Sequence, residues 1–207
     1  MTVQSEAQLE NDLIVQLNGL GYANITIKDE SALLSNLKTQ IERANGLVPL
    51  SETEWKQVIS FLLVNGLPLV QIELKKRGME IAEAFNQTLR YTREAYWAGQ
   101  GLFSFIQLFI ISNGVNTRYY SNCTQHIDFS FPWADVNNKN INEIVDFTEA
   151  FLNQNHLTAM LTQFMVLYES SKTLMVLRPY QIYAVQGIVH HAKTSECNGY
   201  IWHTTGS

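Results

Sequence analysis

The chain has 207 residues, enough for one well-buried core or one domain with part of a second, and a formal net charge of -5. With 46% hydrophobic and 16% charged residues it has globular composition, and its acidic balance excludes a uniformly basic nucleic-acid-coating surface while allowing a local basic groove. Cys123 and Cys197 show neither metal-ligand spacing nor disulfide-scaffold density, residues 1–12 show no signal-peptide pattern, and the most apolar stretch, 102–111, is too short to span a bilayer. A soluble cytoplasmic protein with no membrane partner is expected.

In chain order, residues 5–20 read as an amphipathic helix with Leu9, Leu13, Ile14, Leu17 and Leu20 on one face and Glu10 and Asp12 in its early turns. Residues 23–27 suggest a short strand and 31–45 a second helix. Asn65-Gly66, between the apolar runs 61–64 and 67–72, signals a hairpin turn. A helix follows over 79–97, with Gln87 and Tyr91 four apart on one face. Two strands, 102–111 and 117–121, are joined through Asn113-Gly114, and 129–133 is an aromatic loop. Asn140, three residues before Glu143, reads as the cap of a helix carrying Ile144, Phe147 and Phe151. Residues 157–168 read as a further helix, 173–177 as a buried strand, and Pro179 as the first residue of a helix running to about Lys193. The end, 199–207, reads as an apolar strand turning into a small-residue loop.

Chemistry concentrates on residues 72–75. Side chains two apart on a strand share a face, so Glu73 and Lys75 project together while Ile72 and Leu74 face a core. Phosphodiester hydrolysis needs an activated water and stabilisation of charge on the phosphorus oxygens; carboxylate-held Mg²⁺ and a neighbouring lysine supply both. A solvated edge strand with alternating charges would read the same way from these residues alone. The following helix, with Gln87 and Tyr91 pointing back, adds context. The histidines show no shared ligand spacing and read as ordinary core or surface residues.

VNGLPLVQIELKKRG followed by EAFNQTLRY resembles the nuclease core of the restriction (R, or motor) subunit of type I restriction–modification enzymes, a PD-(D/E)xK site followed by Q-x-x-x-Y. IQLFIISNGVNTRYYSN is similar to the family's next strand pair, LMVLRPYQ to its helicase Q motif, and GYIWHTTGS to the lead into its Walker A loop. The resemblance implies an α/β fold: a PD-(D/E)xK core with a mixed central sheet flanked by helices over 1–155, then a linker helix and the truncated start of a RecA-like helicase domain over 156–207. It implies Glu73 as a metal ligand, Lys75 as the catalytic lysine, Gln87 and Tyr91 as their support, and Glu10 as an additional metal-binding acid. Arg178, Tyr180 and Gln181 would read adenine, and Thr204, Thr205, Gly206 and Ser207 would form the first half of the phosphate loop. Mg²⁺ for the nuclease, ATP for the full-length subunit, double-stranded DNA, and methyltransferase and specificity subunits follow as expected cofactors and partners.

The family's first metal-binding aspartate, about fourteen residues before Glu73, falls here at Ile59. The expectation is that a stretch carrying it is absent from this chain, with abrupt junctions also near Gln125–His126 and Ser195–Glu196. The alternative is a catalytically silent nuclease-fold module that contacts DNA or serves assembly. The Walker lysine, the main charge partner of the nucleotide phosphates, would lie beyond Ser207. The purified 207-residue chain is therefore expected not to hydrolyse ATP, and measurable phosphate release would overturn this.

Overall fold

The alternation of one buried strand organises the molecule. The computed structural model describes residues 4–44, 46, 49–51, 68–91, 105–122 and 126–202. Within them, β2 (Leu108–Ser112) is buried at all five positions. Leu108 and Ile110 enter one hydrophobic cluster, whereas Phe109 and Ile111 enter another on the opposite face. A strand covered on both faces is apolar throughout, as LFIIS is. On one side it pairs in parallel with β1 (Val70–Leu74), and on the other antiparallel with β3 (Thr117–Ser121), giving a mixed sheet in the order β1-β2-β3.

α1 (Glu6–Gly19) and α4 (Ile144–Phe151) cover the first face; α3 (Ile81–Tyr91) covers the second. α1 begins where Ser5 accepts a hydrogen bond from the Gln8 amide at 3.2 Å, and it buries Leu9 and Leu13. Its Gln16 side chain donates to the Val145 carbonyl of α4 at 3.2 Å. The β2–β3 turn passes beneath it: Gly114 has φ +89, and a β-carbon there would lie 3.1 Å from Leu9 Cδ2, so this turn needs glycine on two counts. α2 (Glu30–Ala44) forms a separate small cluster through Leu33 and Leu37.

After a short 3₁₀ turn (Ile127–Phe129), β4 (Trp133–Ala134) and β5 (Asn140–Ile141) form a small ribbon, α5 (Gln154–Gln163) follows α4, and β6 (Met165–Tyr168) pairs antiparallel with β7 (Thr173–Val176) before α6 (Pro179–Thr194). These pieces gather on an aromatic core. Phe151 lies 4.8 Å from Tyr119, 5.3 Å from Trp133 and 4.7 Å from Phe147, centroid to centroid. Two tyrosine hydroxyls dock the later segments on it: Tyr119 donates to the Leu177 carbonyl at 2.8 Å, and the half-buried Tyr183 of α6 to the Ala134 carbonyl at 3.0 Å. Among the described residues, no helix is long and apolar enough to cross a membrane.

Several expectations need correction. Residues 157–168 are not one helix: α5 ends at Gln163 and 165–168 form β6, because Val166, Leu167 and Tyr168 pair with β7 rather than packing a helical face. Residues 23–27 form no strand; Ile27 packs on Leu33 and Leu37 instead. Asn140 belongs to β5, and Glu143 is the residue before α4. β7 is only partly buried, with Met175 43% exposed. The strand expected over 102–111 is confined to Leu108–Ser112 within the described residues. The Asn65-Gly66 hairpin, Ile59 and Thr204–Ser207 lie outside them.

Phe151→Ala removes a ring that touches four others and is expected to cost about 3–5 kcal/mol, whereas Tyr119→Phe, which loses one hydrogen bond, costs about 1 kcal/mol. Urea unfolding followed by near-UV circular dichroism measures both; equal losses would mean that ring packing does not govern this core.

Candidate functional site: the end of β1

β1 has two chemically different faces. Val70, Ile72 and Leu74 pack against the α1–α4 core. Gln71, Glu73 and Lys75 point the other way, toward α3 and the β2 residues Phe109 and Ile111, their register partners being Gln71↔Phe109 and Glu73↔Ile111. The Lys75 amide donates to the Ser112 carbonyl at 2.8 Å, so the lysine stays tied to β2 although it lies just past the strand.

The Lys75 ammonium donates to Glu73 Oε1 at 3.2 Å and to Gln87 Oε1, and Glu6 Oε1 stands 3.7 Å away. An ammonium has three N–H donors, and three side-chain oxygens surround this one. Gln87 Nε2 in turn donates to the Tyr91 hydroxyl. The Lys75 and Glu73 side chains are only 13% and 12% exposed, so this is an ion pair largely out of water, not a solvated charge row. Burial pushes the Glu73 carboxyl above its ordinary range. The Lys75 hydrogen bond and charge pull it back, Glu6 raises it and Arg90 lowers it.

Four residues singled out from sequence, Glu73, Lys75, Gln87 and Tyr91, thus form one continuous chain of contacts. Glu10 does not share those contacts; it is exposed on α1, one turn beyond Glu6, which is the α1 acid that reaches Lys75. The i, i+4 spacing puts both acids on one helix face, so sequence offered no ground for choosing between them. A second pair absent from the sequence reading lies behind Gln87: Thr88 donates to the Phe85 carbonyl at 2.7 Å, so the buried Tyr120 hydroxyl is the donor toward Thr88 Oγ1. This fixes α3 to β3 beside the site.

The second candidate group sits elsewhere. Arg178 precedes α6 with its guanidinium 4.7 Å from the centre of the Phe131 ring, and its amide donates to Gln181 Oε1 at 2.9 Å. Gln181 thereby caps its own helix. Tyr180 is half-buried next to it. Arg178, Tyr180 and Gln181 share no contact with the Lys75 cluster among the described residues. His156 lies 4.6 Å from the Trp133 ring and 5.2 Å from Phe151, and burial lowers its pKa, which fits a core histidine.

Known proteins resemble this chain along its length. The family model "Type I restriction enzyme R protein N terminus" matches residues 60–126, the segment that contains β1, α3, β2 and β3. The endonuclease subunit of the type I restriction enzyme SsaAORF53P of Staphylococcus saprophyticus is 37% identical across the whole chain, which spans 29% of that protein. The SauCOLORF180P endonuclease subunit of Staphylococcus aureus is 36% identical over the same share. The EcoprrI endonuclease subunit of Escherichia coli is 33% identical over 93% of the chain and 83% of its own length. The first of these alignments runs over 275 residues against the 207 here, so that relative carries residues with no counterpart in this chain. The chain belongs to the family of type I restriction enzyme endonuclease (R) subunits.

Proposed function

We propose that this chain is the nuclease module of such a subunit, hydrolysing phosphodiester bonds of double-stranded DNA with Mg²⁺. The observation that carries the reading is the buried chain Glu73–Lys75–Gln87–Tyr91, with Glu6 facing it. The oxygen donors suit a hard cation: Mg²⁺ is commonly bound through one or two carboxylates plus substrate phosphates, and two carboxylates flank Lys75 here. Glu73 would hold it, joined by an α1 acid. Glu6 is better placed for that role than Glu10, because Glu6 already reaches the lysine. When bound, Mg²⁺ supplies an acidified water and positive charge at the phosphate.

The protein's own residues do the positioning. Lys75 presents a fixed cation where negative charge grows on the phosphorus oxygens, in surroundings where it is weakly screened. Gln87 keeps its ammonium from folding back onto Glu73 alone, and Tyr91 holds the Gln87 amide in that orientation. In the full-length subunit we place this module, over 1–155, ahead of an ATP-dependent helicase motor whose start is 156–207, with Arg178, Tyr180 and Gln181 toward adenine and Thr204–Ser207 toward the phosphates. The assembly, with methyltransferase and specificity subunits, would translocate DNA in the cytoplasm before cleaving it. Target reading then falls to another subunit.

One observation favours a second reading, a catalytically silent module for DNA contact or assembly. Residues 55–64 (WKQVISFLLV) contain no acid, so the position of the first aspartate ligand is apolar.

Glu73→Ala and Lys75→Ala in the reconstituted complex are each expected to reduce Mg²⁺-dependent cleavage about a hundredfold or more, and Gln87→Ala about tenfold. Cleavage of plasmid DNA measures this; undiminished cutting by both of the first two variants would rule out the site. A second expectation concerns stability without metal. The folded protein raises the Glu73 pKa, so it binds that proton more tightly than the unfolded chain does. Stability therefore falls as pH rises through the folded-state value and is restored below the ordinary carboxylate range. Glu73→Gln, which leaves the Lys75 ammonium to Gln87 and Glu6, should lack this pH dependence, so the gap between its melting temperature and the wild type's moves in its favour as the pH rises to neutral. A gap independent of pH would show that the carboxylate's burial is not its cause.

A further inference from the structure

Lys75-Lys76-Arg77 is the one run of three consecutive basic residues in a sequence whose net charge is -5. Its members part company in the fold. Lys75 turns inward to its acceptors, while Lys76 and Arg77 are exposed. Neither is simply loose: the turn that carries them closes with a bond from the Met79 amide to the Lys76 carbonyl at 3.2 Å, and Gly78 takes φ +96, a conformation that side-chain-bearing residues rarely adopt. A built turn therefore presents two cations at the end of β1, immediately beside the buried ion pair.

These cations have little structural employment. Lys76 has no ion pair among the described residues. The partner of Arg77 is Glu143 at 4.0 Å, with side chains 45% and 60% exposed, a geometry that contributes almost nothing in water. Arg90, on the last turn of α3, is also exposed, and its charge reaches Glu73. Arg118 shows the contrast: its guanidinium donates to the Ser130 carbonyl at 3.1 Å and serves the fold. Adjacent exposed like charges repel and return nothing to stability, so their place beside a phosphodiester-cleaving site calls for a polyanion.

We propose that Lys76 and Arg77, with Arg90 on the α3 side, are the backbone-phosphate contacts that carry duplex DNA across Glu73 and Lys75. The inference rests on the nuclease reading above and adds to it where the strand lies. Such contacts read no sequence; they release condensed counterions, and each one steepens the salt dependence of binding by about 0.9 in log–log slope. Glu143 holds Arg77 loosely enough to give it up to a phosphate.

The test is binding of a short labelled DNA duplex of arbitrary sequence to the whole chain without divalent cation, across a salt series. Lys76→Ala/Arg77→Ala is expected to weaken binding about tenfold or more at low salt and to flatten the slope by about two. Lys76→Arg/Arg77→Lys, which keeps the charge, should stay within about twofold of wild type, and Lys139→Ala, an exposed cation on the β4–β5 turn, should leave the slope unchanged. An unaltered slope in the alanine pair, with wild-type binding intact, overturns this assignment alone. Equal flattening by Lys139→Ala overturns it too, since any surface cation would then do. Failure of the wild type to bind duplex overturns the DNA reading itself, and this inference with it.

Discussion

A largely buried ammonium shared between a strand and a helix is the interaction on which the site depends. Taking a carboxylate out of water is costly unless a cation comes with it, and Lys75, two residues along the same strand face, is that cation. Such a pair adds little net stability, because desolvation of both partners offsets most of their attraction. Its presence on the α3 face, where β2 contributes only Phe109 and Ile111, is better explained by chemistry than by folding. The raised pKa of Glu73 says the same: Lys75 does not fully compensate the carboxylate for its lost water.

Holding that pair in place is the task of the surrounding core. β2 is buried on both faces, so a slip of one residue would move Phe109 and Ile111 into the aromatic cluster and Leu108 and Ile110 under α3. The parallel register that sets Glu73 opposite Ile111 is strongly specified for that reason. α3 is pinned separately by the Tyr120–Thr88 hydroxyl pair, which sets the rotation at which Gln87 meets Lys75. The two halves of the site are thus referenced to one strand pair.

Much of this was legible in the amino-acid sequence, for identifiable reasons. Period-two alternation puts Glu73 and Lys75 on one face whatever lies around them, and four-residue spacing does the same for Gln87 and Tyr91. Local rules suffice there. They fail where a partner remote in sequence decides. Residues 165–168 carry apolar side chains compatible with helix or strand, and β7 resolves the ambiguity by pairing. Residues 23–27 look like a strand but find no neighbouring strand among the described residues. Glu6 and Glu10 are equivalent along α1, and only the approach of β1 distinguishes them.

The same contacts bear on how a site could hold a cation when residues 55–64 of the sequence offer no acid. Lys75 engages Glu73 through Oε1, and Gln87 offers the ammonium a second acceptor. A divalent ion drawing on Glu73 would repel Lys75, and without Gln87 the lysine would have to swing away from the position where its charge is useful. With Gln87 braced by Tyr91, it can loosen from the carboxylate and remain in place. Glu6, 3.7 Å from the same ammonium and about half exposed, can shift toward the cation with little desolvation cost. On the nuclease reading, the Q-x-x-x-Y pair is what allows one buried glutamate to serve both a lysine and a metal. On the silent reading Gln87 would only satisfy a further N–H of a largely buried ammonium.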